Sequence, residues 1–135
     1  MKVMLDEGAK VERAHELDAG LDLCAREDAY ILANNSYVFD TGVHVEIPKN
    51  CVGFIKSRSG LMVRHGILTD GTIDCGYTGP IKVKLFNLSG SRYEVKKGDK
   101  IAQLVIVPCI LAPVELVGNL EETERGDGGF GSTGR

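Results

Sequence analysis

Short alternating runs of apolar and polar residues dominate the chain. Residues 43–47 read V-H-V-E-I and stop at Pro48, and residues 52–56 resume after Lys49-Asn50. Residues 81–86 read I-K-V-K-L-F, with Lys82 and Lys84 on one face. This two-residue period is that of a strand with one buried side. A shorter run at 93–95 is closed by the turn Lys97-Gly98-Asp99. Residues 101–107 are nearly all apolar, which predicts a strand buried on both faces. A last strand is expected at 114–117, after Pro113. Segment 59–65 lacks the period: Leu61 and Met62 beside Arg64 predict a short helix closed by Gly66. Runs so spaced, with Gly, Asn and Asp between them, point to an all-β sandwich, barrel or jelly roll.

One domain is expected over 1–120. Beyond it, 121–135 is almost devoid of apolar residues except Phe130 and carries Gly at 126, 128, 129, 131 and 134. Such a segment cannot offset its ordering entropy by burial, so it reads as a flexible C-terminal arm. A formal charge of −3 argues against a generally basic surface and hence against a nucleic-acid partner; an anion must be gripped by local cations or backbone N–H groups. Lys2 is followed by no apolar leader, and no run approaches the length of a membrane span, so a cytoplasmic protein without membrane contact is expected. Cys24, Cys51, Cys75 and Cys109 form no C-x-x-C pair, and the three histidines are equally scattered, which is weak for zinc.

Five constellations carry candidate chemistry, each ambiguous alone. In D-A-G-L-D-L at 18–23, Asp22 alternates with apolar neighbours; an inward Asp is costly without a partner such as a hydrated Mg²⁺. Lys56-Ser57-Arg58-Ser59-Gly60 reads either as a polar turn or as an anion cradle at the start of a helix. G-T-I-D-C-G-Y-T-G at 71–79 implies a β-hairpin whose turn holds Asp74 near Tyr77, as a turn residue or as a group that orients water. Gln103 interrupts an otherwise apolar strand, and a buried amide there needs partners. The arm contains G-x-G-x-x-G at 126, 128 and 131, but no helix or downstream acid follows, so it fails as a dinucleotide fingerprint. What remains is backbone able to approach phosphate, with Arg125 as a bidentate cation.

Together and in this order, the stretches 14–23, 56–60, 71–81, 97–104 and 125–134 resemble the five motifs of the trimeric dUTPase family. The resemblance implies a jelly-roll-like fold and a homotrimer whose sites draw on all three chains, with the arm of one closing over dUTP held by the others. It implies hydrolysis of dUTP to dUMP and pyrophosphate, which limits dUTP and supplies dUMP for dTMP synthesis. Asp74 resembles the residue that activates the attacking water, and Tyr77 the ring that packs under deoxyribose and excludes a 2′-hydroxyl. Backbone around Gly71, Thr72, Ile73 and Asp74 would read the uracil edge. Arg58, Ser59, Gly60 and Gln103 resemble phosphate ligands, and Lys82 is placed with the substrate-binding set. Arg125, Ser132 and Thr133 would hold the distal phosphates while Phe130 stacks on uracil. Mg²⁺ would ride on the triphosphate, with Asp22 touching it through water.

Only eleven positions lead from Gly60 to Gly71, where many members have a longer connection carrying an Asn; here it ends Leu68-Thr69-Asp70. Deaminases of dCTP share the fold, but they need a Glu three residues before an Asn. Lys84 stands there, before Asn87, and lysine is a poor proton shuttle at neutral pH. A nucleotide-gated regulator, as some viral relatives are thought to be, is the other reading, usually tied to an inserted segment that this chain does not show.

Overall fold

The computed structural model of the protein describes residues 1–129. Within them run β1 (Lys2–Leu5), β2 (Val11–Glu12), β3 (Gly20–Cys24), β4 (Ala29–Ile31), β5 (Ser36–Asp40), β6 (Val43–Glu46) and β7 (Cys51–Lys56). Helix α1 (Ser59–His65) follows, then β8 (Ile67–Leu68), β9 (Asp70–Ile73), β10 (Lys82–Asn87), β11 (Tyr93–Val95) and β12 (Lys100–Pro108). All pairings are antiparallel. The largest sheet has the order β2-β3-β12-β7-β9; β5-β10-β8 form a second, and β1-β6 and β11-β4 are pairs.

The alternation in β10 is realised as read: Val83, Leu85 and Asn87 point inward while Lys82, Lys84 and Phe86 face out. The core is aliphatic, with Leu23, Ile31, Ile55, Ile81, Val83 and Leu104 packed around Phe39. Asn87 is the buried polar member of β10. Its amide donates to Ile31 O (2.9 Å) and Ser91 O (2.8 Å), and its oxygen accepts from Ser89, so burial leaves it fully paired. Helix α1 spans the expected residues, and Gly66 ends it at φ 66°, donating to Met62 O. A side chain is disfavoured in that left-handed conformation, which is why a glycine marks the stop.

Three expectations are corrected. The stretch 71–79 is a turn but not a hairpin: β9 pairs with β7, while β10 pairs with β5 and β8 in another sheet. Residues 114–117 form no strand; Val114 and Leu116 are almost wholly exposed, and a strand without a neighbour leaves its backbone groups unpaired. In β12 burial on both faces is confined to one end: Ile101, Ala102 and Leu104 are buried, but Val107 is exposed. Among the described residues no helix is long and apolar enough to cross a membrane.

A β-bulge between Lys100 and Ala102 sets the register on which the site depends. With one extra residue in β12, Gln103 falls opposite Asp22 of β3 and, on the other side, opposite Lys56 of β7. Glu12 of β2 stands opposite Asp22, and Asp70 of β9 opposite Lys56. Directly opposed residues share a face, so Glu12, Asp22, Gln103, Lys56 and Asp70 form a polar row across the whole sheet.

Candidate active site

The sequence-predicted site residues that precede the arm fall in or beside two clefts. The first, of about 440 Å³, is lined by Asp22, Arg58, Ser59, Gly60 and Gln103 together with Asp18 and Gly20. Arg58 is the extended residue just before α1, and its guanidinium donates to Asp22 Oδ1. Lys100 Nζ lies 2.9 Å from Asp22 Oδ2 and also pairs with Glu12, which Lys10 meets at 2.9 Å. Asp22 is therefore 6% exposed but not orphaned: two cations neutralise it where the sequence suggested a hydrated metal. Hydrogen bonds from Lys10 and Lys100 pull the Glu12 carboxyl down to about 2, and bonds to Glu12 and Asp22 raise Lys100. Lys100 and Glu12 were not singled out in the sequence, because nothing short of the strand register places them beside Asp22.

Gln103 is half-buried and donates to Ser57 O at 3.2 Å. A Cβ on Gly20 would sit 3.1 Å from Gln103 Cβ and collide with its amide oxygen, so the glycine makes room for that side chain. Nothing lies within 4 Å of the Cβ position of Gly60, which leaves the first turn of α1 open to the cleft. Ser57, by contrast, is committed to the fold: its hydroxyl donates to Thr69 O and accepts from Thr69 N, both at 2.8 Å. In the short connection before Gly71, Asp70 pairs with Lys56, which lowers its carboxyl, and the buried Thr69 hydroxyl has no partner among the described residues.

The second cleft, about 230 Å³, is lined by Thr72, Ile73, Asp74, Tyr77 and Lys82, with Gly71 next to Thr72 in β9. Tyr77 N donates to Asp74 O (3.0 Å), which closes the turn and brings the two residues together. The Tyr77 ring lies against Gly79: a Cβ there would meet Tyr77 Oη at 2.6 Å, and that hydroxyl donates to Pro80 O (2.9 Å). The exposed Asp74 carboxylate makes no ion pair among the described residues, so it is free to accept from a water.

The two clefts share no lining residue. Gln103 lies level with Lys56, whereas Ile73 lies level with Gly53. At strand spacing Asp74 is about 13 Å further along the sheet and about 10 Å across it from Gln103. Asp74 and Gln103 of one chain do not meet on one phosphate group. Arg125 Nε donates to Gly128 O (3.1 Å) in an exposed stretch without helix or strand, and Arg125 lines neither cleft. Phe130, Ser132 and Thr133 lie outside the described residues. Lys84 sits on the outer face of β10 with Nζ 5.0 Å from the Phe86 ring centroid, lining neither cleft.

A family model described as dUTPase matches residues 6–134. The chain belongs to the dUTPase family. The deoxyuridine 5'-triphosphate nucleotidohydrolase of Clostridium tetani (strain Massachusetts / E88) is 43% identical over 136 residues, covering 98% of this chain and 94% of that protein. A solved mutant of the Staphylococcus bacteriophage 80alpha dUTPase with dUpNHpp matches with TM-score 0.90 at 30% identity, over 99% of this chain and 98% of that one. A mutant dUTPase from phage phi11 of S. aureus matches with TM-score 0.81 at 30% identity, over 90% and 98% of the two chains; its structure concerns the coordination of a structural Mg(II) ion. The jelly-roll-like β architecture expected of a dUTPase is thus the architecture of this chain.

Proposed function

We propose that this dUTPase-family chain hydrolyses dUTP to dUMP and pyrophosphate, with Asp74 as the general base. The observation that carries this reading is the cleft in which Thr72, Ile73, Asp74, Tyr77 and Lys82 converge, with an unpaired carboxylate beside an aromatic ring. A water hydrogen-bonded to Asp74 attacks the α-phosphorus and gives its proton to the carboxylate. The bond from that phosphorus to the α–β bridging oxygen breaks, and pyrophosphate leaves with the electron pair. Tyr77, held against Gly79 and bonded to Pro80 O, supports the deoxyribose and leaves no space for a 2′-hydroxyl. Backbone groups of Gly71, Thr72 and Ile73 pair with the uracil edge, and cytosine is rejected because its reversed donors leave those groups unpaired.

Arg58, Ser59, Gly60 and Gln103 hold the phosphates. Arg58 then exchanges Asp22 for a phosphate, while Lys100 keeps the Asp22 carboxylate neutralised. Both Asp22 oxygens already accept from cations, so this carboxylate suits a contact with Mg²⁺ through water better than direct ligation. Mg²⁺ bound to the triphosphate would neutralise its charge.

The separation of the two clefts supports a site completed between copies of the chain, and the family resemblance supports three such copies. The uncovered side chains of Ile110, Leu111, Val114, Leu116 and Leu120 support the same assembly, because so much apolar surface marks an interface. Residues 121–135 act as the arm that closes over dUTP, through Arg125, Phe130, Ser132 and Thr133, over a domain formed by 1–120. The test is release of pyrophosphate by purified protein with Mg²⁺. dUTP should be cleaved and UTP, dCTP and dTTP hardly at all; equal turnover of UTP would refute the role of Tyr77.

A further inference from the structure

His44, in β6, joins the turn that carries Asp74 and Tyr77 to Asp6, the residue that follows the N-terminal strand β1. Its Nδ1 lies 2.8 Å from Thr78 O, and its Nε2 lies 3.2 Å from Asp6 Oδ1. The side chain is 16% exposed. A carbonyl oxygen and a carboxylate both only accept, so the bond to Thr78 requires a proton on Nδ1 and the bond to Asp6 requires one on Nε2 as well. Asp6, just after β1, is itself fixed: its N–H donates to Gly42 O (2.9 Å), and Arg26 Nη1 donates to Asp6 Oδ2 (3.4 Å). Arg26 in turn donates to Glu7 O at 3.1 Å. The imidazole is thus held from behind by a carboxylate and aimed forward at one peptide group.

That peptide group matters because of what rests on the next one. Thr78 lies between Tyr77 and Gly79, and the Tyr77 ring lies so close to Gly79 that a side chain there would collide with it. The turn makes its own bonds, Tyr77 N to Asp74 O and Tyr77 Oη to Pro80 O, and its exit is fastened where Ile81 N donates to Val43 O (2.8 Å) and Thr41 Oγ1 donates to Ile81 O (2.7 Å). Between the Asp74–Tyr77 turn and Ile81, the bond from His44 is the one side-chain hydrogen bond that reaches in from another element among the described residues. Without it the Thr78 peptide is free to rotate, and the surface under the Tyr77 ring moves with it.

We infer that His44 is a positioning residue, whose Nδ1–H fixes the Thr78 carbonyl and so sets the place of the Tyr77 ring beside Asp74. The inference rests on the reading that this turn holds the nucleoside and the attacking water. Asn and Gln at position 44 separate the two bonds of the imidazole: the Asn amide nitrogen stands where Nδ1 does, and the Gln amide nitrogen extends to where Nε2 does. Full-length His44→Ala, His44→Asn and His44→Gln would be compared with the parent for kcat and KM on dUTP and UTP and for melting temperature.

His44→Ala should lower kcat/KM for dUTP by about ten-fold and narrow the preference for dUTP over UTP by a similar factor, as expected for a small misplacement in a preorganised site. His44→Asn should restore both, while His44→Gln, which keeps only the Asp6 contact, should not. Equal activity in all three variants, equal impairment in all three, or rescue by Gln and not Asn would overturn the inference. The last pattern would make His44 a tether for β1 alone. Failure of the underlying reading shows separately, as full turnover by Asp74→Ala and Tyr77→Ala.

Discussion

The contacts that fix the turn around Asp74 all end on backbone carbonyls: those of Asp74, Thr78, Pro80, Val43 and Ile81. In the cleft around Arg58, by contrast, charged side chains hold one another, with Asp22 between Arg58 and Lys100 and Glu12 between Lys100 and Lys10. The first arrangement has one geometry and preserves shape, which suits the discrimination of sugar and base proposed for it. The second is satisfied by any properly placed anion, so Arg58 can leave a carboxylate for a phosphate without being left unpaired. One cleft is preorganised by backbone, the other poised for exchange of charge partners.

Removing the carboxylate from the first cleft should have the largest effect. Asp74→Ala should cut kcat for dUTP by about 10³-fold, in the range of a lost general base, while a dUTP analogue still binds in calorimetry. The division of labour between clefts can be tested without structure. Asp74→Ala and Arg58→Ala proteins, each nearly inactive, should regain part of the parent activity when unfolded together and reassembled. No recovery would mean that both clefts of one chain serve one site. Deleting 125–135 should remove most turnover and leave the melting temperature of the core unchanged; a fully active truncation would end the proposed role of the arm.

A core change should act differently from either cleft. Leu85→Ala, in the buried face of β10, should cost about 2–5 kcal/mol of stability in urea unfolding, with little change in KM of the folded protein. The smallest effect belongs to Glu12, a partly exposed member of the charge network. Because Glu12 is depressed to about 2, any stability it adds is present above the normal carboxylate range and is lost as pH falls from there toward 2. Glu12→Gln should therefore lower the melting temperature slightly at neutral pH, by an amount that shrinks steadily as the pH falls toward 2, compared with the parent at each pH.

What was legible along the chain follows from how local each signal is. Helix α1 and its Gly66 cap were readable because a helix makes its bonds within one turn and its stop needs one left-handed residue. The outward Lys82 and Lys84 were readable because pleating alone sets them. The hairpin at 71–79 was misjudged for the opposite reason: a turn is local, but which strand then pairs with which is not. Residues 114–117 have the composition of a strand, yet Val114 and Leu116 find no neighbour in the described chain to bury them.

The sequence by itself determined which chemical groups exist and roughly how far each can act: a carboxylate and a tyrosine three residues apart, an arginine at the start of a helix, a glutamine in an apolar strand. Tertiary structure alone decided who meets whom. Asp22 reaches Arg58 across 36 positions and Gln103 reaches Ser57 O across 46, and a single bulge before Ala102 sets Gln103 opposite Asp22. Shifting that register by one residue would turn the polar row into the core, since successive strand residues face opposite sides. Pairings at such separations depend on the whole sheet being assembled, and no window of the sequence contains both partners.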